Sequence, residues 1–154
     1  MNHDDPAIDE DTATAQKAPT WFWVVAIIAL IWNLMGLAAF FGQVMMTPEA
    51  IAELPAEQQP LYENIPVWVN IAFACAVIGG TLGCVGLLIR KRWALPVLVL
   101  SLLGVLVQMS HSFFMTNAVA VLGPTALVMS LLVIVIGVLL IGFARFSISK
   151  GWLQ

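Results

Sequence analysis

Long apolar runs alternate with short polar segments along the chain. Four runs lack Asp, Glu, Lys and Arg throughout, at about 21–44, 67–89, 93–114 and 125–143. A helix of about 20 apolar residues is long enough to cross the hydrocarbon core of a bilayer. The pattern therefore predicts an all-α integral membrane four-helix bundle, connected up and down so that neighbouring helices are antiparallel.

The segments outside the apolar runs give the rest of the domain organisation. Residues 1–19 are polar and acidic, so we expect a disordered cytoplasmic tail. The transmembrane domain is expected at 20–146 and a C-terminal tail at 147–154. Four spans of about 20 residues leave too little chain for a second folded domain.

One connecting segment, at 47–66, is long enough to hold structure of its own. It opens with Thr47-Pro48-Glu49, a combination typical of a helix start. Threonine serves as N-cap, proline suits the first helical position, and an early carboxylate favours the first turn. We predict a short helical cap in this loop, running to about Leu54 and ended by Pro55.

Composition identifies the medium around the protein. The chain is 61% hydrophobic and only 10% charged, whereas soluble domains carry about 25% charged residues. We therefore expect the lipid bilayer to be the partner that covers most of the surface. No basic cluster is long enough to follow a phosphate backbone, so no nucleic-acid partner is predicted.

The basic residues give the predicted orientation. All six Lys and Arg fall on one side of the membrane if the N-terminus is cytoplasmic, including the turn Arg90-Lys91-Arg92 between the second and third runs. Positive residues favour the cytoplasmic side, so we predict both termini inside and the 47–66 loop outside. Trp21, Trp93 and Trp152 flank the runs at positions typical of interfacial anchors.

Small and polar residues recur every three or four positions within each run, and we call each such series a packing stripe. In lipid, helices associate through close contact at small residues and through hydrogen bonds between helices. A repeat of about 3.5 residues keeps such a stripe facing its neighbour in a left-handed bundle. The predicted packing positions include Gly36, Ala72, Ala76, Gly79, Gly83, Gly104 and Gly137.

The polar members of the stripes gather toward the predicted external side. Asn33 lies near the bilayer midplane, about 18 Å from Trp21 at 1.5 Å per residue. The others lie nearer the outer surface: Gln43, Asn70, Gln108, His111 and Ser130. Two interpretations stay open, an outward-facing pocket for a small, polar, uncharged solute, or hydrogen bonds that hold the helices together.

Several kinds of chemistry have no support in the sequence. No ionisable Asp, Glu, Lys or Arg lies deep in a run, where such residues mark proton relays and ion pathways. His111 is the only plausible general base near the bilayer, and it has no obvious carboxylate partner. Cys75 and Cys84 lie about 13 Å apart along one helix, too far for a disulfide. We predict no catalytic activity, no cofactor and no metal site.

Four segments resemble a known family. Trp32-Asn33-Leu34-Met35-Gly36, Met46-Thr47-Pro48-Glu49, Arg90-Lys91-Arg92-Trp93-Ala94 and 101–108 (SLLGVLVQ) are similar to segments of small bacterial four-span proteins that are often labelled "sugar transporter". The resemblance covers about residues 21–153 and implies a bacterial inner membrane. It favours a solute-handling function but assigns no catalytic or binding residue.

Two functional hypotheses follow from these observations. The first is transporter-like handling of a small polar, uncharged solute, such as a sugar, from the external side. The second is a structural or accessory role in which the 47–66 loop binds a partner. Closely packed stripes leave little room for a path within one protomer, so we expect a homo-oligomer or a membrane partner protein.

Overall fold

The computed structural model describes residues 16–154, so most of the predicted tail at 1–19 lies outside the described residues. Helices cover most of the described chain: α1 (Thr20–Val44), α2 (Pro48–Ala52), α3 (Gln59–Tyr62), α4 (Val67–Leu88), α5 (Ala94–Phe114), α6 (Ala118–Leu122) and α7 (Pro124–Ser149). Four of them are long and apolar enough to cross a membrane: α1, α4, α5 and α7. The prediction of an all-α, multi-pass four-helix membrane bundle is confirmed, while its left-handed crossing stays a prediction.

Helix α4 lies at the centre of the bundle. It packs along α5 on one side and along α1 on the other, and α7 packs against α5. Half of the most apolar 18-residue stretch of α4 is buried inside the protein, against 11% for α1 and 6% for α7. Helices α1 and α7 share no comparably extensive interface, so the ring of four helices is incomplete on that side.

The interface between α4 and α5 depends on small residues. A Cβ atom at Gly104 would lie 2.8 Å from the Ala72 carbonyl oxygen and 2.9 Å from the Ala76 amide nitrogen. The Ser101 hydroxyl donates a hydrogen bond to the Ala76 carbonyl. Because neither backbone carries a bulky group here, the two helices approach closely enough for dispersion and a hydrogen bond to hold them together.

One end of the bundle carries the two longer connections between spans, 45–66 and 115–123, and we call it the loop end. The predicted helical cap is confirmed as α2, where the Thr47 hydroxyl accepts a hydrogen bond from the Ala50 amide at 3.3 Å. Helix α3, which begins at Gln59, was not predicted. The Gln59 side-chain amide donates to the Leu54 carbonyl at 2.9 Å and so ties α3 back to the end of α2.

The opposite end carries the start of α1, the turn at 90–92 and the last residues, and we call it the terminal end. Helix α7 continues six residues past its predicted end, to Ser149 rather than 143. The chain then reverses at Gly151, whose φ of 70° suits glycine. Leu153 is completely buried and Trp152 almost so. The segment expected as a tail at 147–154 is therefore part helix and part core.

An aromatic cluster joins α1 to α7 at the terminal end. Phe22 is fully buried, and its ring lies 5.4 Å from Phe143 and 5.8 Å from Trp152. Trp21 contacts the same two rings at 5.8 and 5.4 Å. Large aromatic surfaces packed edge to face contribute strongly to such a core. The cluster closes the bundle at this end, in contrast to the gap between α1 and α7 further along.

Candidate functional site

A space lined by all four long helices lies within the bundle, and we call it the inner cavity. Its volume is about 400 Å³. Its lining comes from α1, α4, α5 and α7: Trp32, Asn33, Met35, Gly36, Ala39, Phe73, Ala76, Val77, Val105, Gln108, Met109, Met129 and Val133. All but Asn33 and Gln108 present apolar groups. The volume falls in the range of about 300–1,000 Å³ that small-molecule sites occupy.

A second space, the outer cavity, lies beneath the loops at the loop end. Its volume is about 170 Å³, room for roughly six waters at ~30 Å³ each. Loop residues and α5 supply most of its lining: Gln43, Leu61, Tyr62, Ile65, Val69, Gln108, His111, Ser112, Thr116, Ala118 and Leu122. Amide, hydroxyl and imidazole groups are frequent here, so this cavity is the more polar of the two.

Gln108 is the residue that lines both cavities. It is half-buried on α5, two turns beyond the buried Ser101 that packs on α4. Within residues 16–154, the Gln108 side-chain amide makes no hydrogen bond to another protein group. Its donors and acceptors are therefore free for a ligand or for water at the junction of the polar and apolar spaces.

Asn33 has a mixed role. Its side-chain amide donates to the Ala29 carbonyl at 2.8 Å and to the Cys84 sulfur at 3.4 Å, which joins α1 to α4. It also lines the inner cavity. Gly80 makes this position possible, because a Cβ atom there would collide with the Asn33 amide. The Asn33 nitrogen thus holds two helices together, while its carbonyl oxygen is left to accept a hydrogen bond.

The structure separates the other predicted site residues into different roles. The Gln43 amide donates to the Asn70 side-chain oxygen at 3.2 Å, a bond between α1 and α4, and of the two only Gln43 lines the outer cavity. His111 lines the same cavity and meets the Trp68 ring edge to face at 5.3 Å. Ser130 is half-buried but lines neither cavity. Ser130 therefore does not join the cluster.

The predicted packing residues lie away from the protein surface. Gly83 faces Leu98 across the α4–α5 interface, and Gly137 of α7 faces Leu102 of α5. Gly36 and Gly137 are half-buried, and the others are buried: Ala72, Ala76, Gly79, Gly83 and Gly104. Small side chains at these positions let the helices approach, and none of them except Gly36 and Ala76 borders a cavity.

Sequence reasoning missed several lining residues. Tyr62 reaches the outer cavity from α3, a helix that was not predicted. Two others, Ser112 and Thr116, lie one and five positions after His111. These intervals do not match the 3.5-residue spacing of the packing stripe, so the stripe does not include them. Met109 and Met129 line the inner cavity, but methionine in an apolar run carries no signal that distinguishes a cavity wall from a lipid-facing surface.

Neither cavity is lined by Asp, Glu, Lys or Arg among the described residues. A charged ligand transferred here from water would lose its hydration without gaining an opposite charge, at a cost of several kcal/mol. Amides, hydroxyls and a single imidazole can instead satisfy the donors and acceptors of a neutral molecule. The chemistry of the lining therefore suits an uncharged ligand.

Comparisons with protein-family models, with curated proteins and with solved structures find no match for this chain. The similarity of 32–36 and 101–108 to the four-span bacterial family therefore stays a prediction. The four long apolar helices indicate a multi-pass membrane protein.

Proposed function

We propose that the protein binds a small uncharged solute at Gln108, in the manner of a transporter, and receives it from the loop end. The observation that carries the proposal is that one unpartnered amide lines both the outer and the inner cavity. A solute that bound Gln108 would occupy the only lining residue the two spaces have in common. The proposal includes no catalytic step.

The energetics support a role in binding rather than only in packing. The bonds from Asn33 to Cys84 and from Gln43 to Asn70 join α1 to α4, as expected of polar residues that stabilise a bundle. Gln108 makes no such bond within the described chain. No side-chain nitrogen or oxygen of the described residues is buried without a hydrogen-bond partner, so the Gln108 amide is open to exchange with a solute, and the hydrogen bond it would form is worth about 0.5–1.5 kcal/mol.

The proposal predicts that position 108 is reached by water. In a background with Cys75→Ala and Cys84→Ala, Gln108→Cys in proteoliposomes should react with a charged, membrane-impermeant thiol reagent, because only a hydrated thiol ionises readily. Leu100→Cys on the same helix, 56% exposed toward lipid, should stay unlabelled. Glu57→Cys in the loop is the positive control. An unlabelled Cys at 108 with a labelled Cys at 57 would contradict the proposal.

Uptake measurements then test transport directly. Proteoliposomes are assayed with a panel of radiolabelled sugars and other small neutral solutes. For any solute taken up, Gln108→Leu should lower uptake about two- to tenfold, since a lost hydrogen bond is worth about 0.5–1.5 kcal/mol. Ser130→Ala, which removes a polar group outside both cavities, should leave uptake unchanged.

A second function is favoured by the loop surface. A shallow groove of about 410 Å³ lies beside α2 and is lined by Met46, Pro48, Ile51, Glu63 and Asn64. It combines apolar contacts with a carboxylate, as a site for a partner protein would. We propose this accessory role as the alternative. It is favoured if Cys at 108 is not labelled by the thiol reagent while cross-linkers placed in 47–66 capture another membrane protein.

We also propose that the terminal end faces the cytoplasm of a bacterial inner membrane. The basic residues of the chain, Lys17, Arg90, Lys91, Arg92, Arg145 and Lys150, fall at that end, as the positive-inside rule expects. Lys91→Cys in spheroplasts should react with an impermeant thiol reagent only after permeabilisation, while Glu57→Cys should react before it. The reverse pattern would invert the proposed topology.

The proposed assembly is a homo-oligomer or a complex with a membrane partner. Helix α7 offers a long apolar surface for this, with Val128, Leu131 and Leu139 each at least 60% exposed. Lipid alone can also cover such a surface. In the Cys75→Ala, Cys84→Ala background, a cross-link through Leu139→Cys would show that another protein chain covers this surface. Without a cross-link, lipid covers it.

A further inference from the structure

We propose that the solute is an uncharged amphiphile, with its polar head in the outer cavity at Gln108 and its apolar body in the inner cavity, and that it enters sideways from the bilayer between α1 and α7. This inference rests on the proposed binding at Gln108. It narrows the substrate class, and for such a substrate it replaces entry from the loop end by entry from the bilayer. It departs from the expectation of a sugar, because the larger of the two spaces is apolar.

The inner cavity is unsuited to a molecule with many hydroxyl groups. Apart from Asn33 and Gln108, its walls are formed by aliphatic, aromatic, methionine and small residues. Each hydroxyl left unpaired there would lose its hydrogen bond to water without replacing it. An apolar body that arrives from the bilayer has no such loss, because it exchanges one apolar surrounding for another. The body of the ligand should therefore be hydrocarbon or a ring system.

The outer cavity suits the head of the same molecule. Gln43, Tyr62, His111, Ser112 and Thr116 offer amide, hydroxyl and imidazole groups around its wall. Since Gln108 lines both cavities, a ligand can place one polar group on that amide and extend its apolar part toward Asn33. The absence of acidic and basic side chains from both linings favours a head with hydroxyl or carbonyl groups over a phosphate or an amine.

The route from the bilayer follows from the gap between α1 and α7. Met35 of α1 and Met129 of α7 both line the inner cavity, yet they are 64% and 49% exposed. They therefore stand where the cavity meets the lipid-facing surface. The two helices are joined at the terminal end by Trp21, Phe22 and Phe143, which leaves the half nearer the loops open. Methionine is flexible enough to yield to a passing chain.

The native tryptophan Trp32 makes the inference testable, because it lines the inner cavity. The protein is reconstituted in phosphatidylcholine vesicles, and dibromostearoyl monoglyceride is added, an uncharged amphiphile whose bromines quench indole fluorescence on contact. We expect a saturable component of quenching at low mole fraction. Dibromostearoyl lysophosphatidylcholine, with the same chain but a zwitterionic phosphocholine head, should quench only in proportion to its mole fraction.

Two variants assign the saturable component to the cavity. Trp32→Phe should abolish it, while Trp93→Phe, which alters an indole outside the cavity lining, should leave it intact. Gln108→Leu should weaken the apparent affinity about two- to tenfold through the lost hydrogen bond. All variants are first compared by circular dichroism and size-exclusion chromatography.

The outcomes distinguish this inference from the function on which it rests. Both brominated probes could quench the wild type only in proportion to mole fraction while Cys at 108 is labelled from water. In that case the assignment of an amphiphile as substrate is wrong, and the proposed binding of a water-soluble solute stands. If Cys at 108 is also silent, both proposals are overturned. Saturable quenching that survives Trp32→Phe overturns the assignment to the inner cavity.

Discussion

Gly104→Ala is expected to destabilise the bundle by about 3 kcal/mol, at the upper end of the cost of overpacking a core. The added Cβ atom would meet the Ala72 carbonyl oxygen at 2.8 Å and the Ala76 amide nitrogen at 2.9 Å. These atoms belong to the backbone of α4, so no side-chain rotation relieves the overlap. The two helices must separate along their length, which weakens the Ser101 hydrogen bond to α4 as well.

The matched control is the same substitution at Gly142, on the lipid-facing side of α7. No atom lies within 4 Å of a Cβ placed there, and alanine favours a helix over glycine by up to about 1 kcal/mol. Gly142→Ala should therefore leave stability unchanged or raise it slightly. Unfolding in mixed micelles by added SDS, followed by circular dichroism, measures both. Equal destabilisation by the two substitutions would show that α4 and α5 do not pack through Gly104.

The packing stripes explain why so much of the fold could be predicted. In lipid the hydrophobic effect does not drive helices together, so helix association depends on small and polar residues that recur at helical spacing. In α1 the residues at this spacing include Phe22, Ala26 and Ala29, and all three are buried. The spans themselves were predicted from the apolar runs, and seven of their eight ends agree with the helices to within one residue; the exception is the end of α7, six residues further on.

Helix α4 shows where one stripe per helix fails. Gly80 and Cys84 lie off the predicted stripe of Ala72, Gly79 and Gly83, yet both are buried. Helix α4 contacts α5 through the stripe and α1 through a second face, where Gly80 makes room for Asn33. A central helix needs two packing faces, and the sequence of one helix does not say which helix will occupy the centre.

The cavities and the terminal end could not be predicted for a different reason. Whether Met129 faces lipid or a cavity depends on the spacing of α1 and α7, which local sequence does not determine. Trp152 was expected as an interfacial anchor but packs between Trp21 and Phe22. It does so because the chain reverses at Gly151. Gln108, in contrast, was identified from its place on a polar stripe.

Arg90→Ala is expected to destabilise the terminal end by about 2–3 kcal/mol. The Arg90 guanidinium donates to the Trp152 carbonyl at 2.7 Å and to the Gln16 carbonyl at 2.8 Å. It thereby links the α4–α5 turn to both ends of the described chain. Hydrogen bonds from a charged donor are worth about 1.5–3 kcal/mol each, and partial exposure of Arg90 reduces their sum. A residue assigned only to membrane topology thus also has a structural role.

The backbone at Arg90 allows its two effects to be separated. Its φ of 58° is left-handed, and the Lys91 amide bonds the Gly86 carbonyl at 2.8 Å, which is the arrangement that ends many helices with glycine. An L-residue there costs about 1–2 kcal/mol, a cost that Arg90→Ala keeps and Arg90→Gly removes. Both variants lose the guanidinium. We therefore expect Arg90→Gly to lie between Arg90→Ala and the wild type.

Lys91→Ala is the matched control, because Lys91 is exposed and lies in the same turn. It removes a neighbouring positive charge but none of the bonds to Trp152 or Gln16, so stability should stay within about 0.5 kcal/mol of the wild type. The SDS titration used for Gly104 measures all three variants, and trypsin cleavage after Lys150 reports whether the end of the chain has detached. If Arg90→Gly is more stable than the wild type, the strained backbone costs more than the guanidinium bonds contribute. If Arg90→Ala and Lys91→Ala lose the same stability, the bonds to Trp152 and Gln16 contribute nothing beyond the loss of one positive charge.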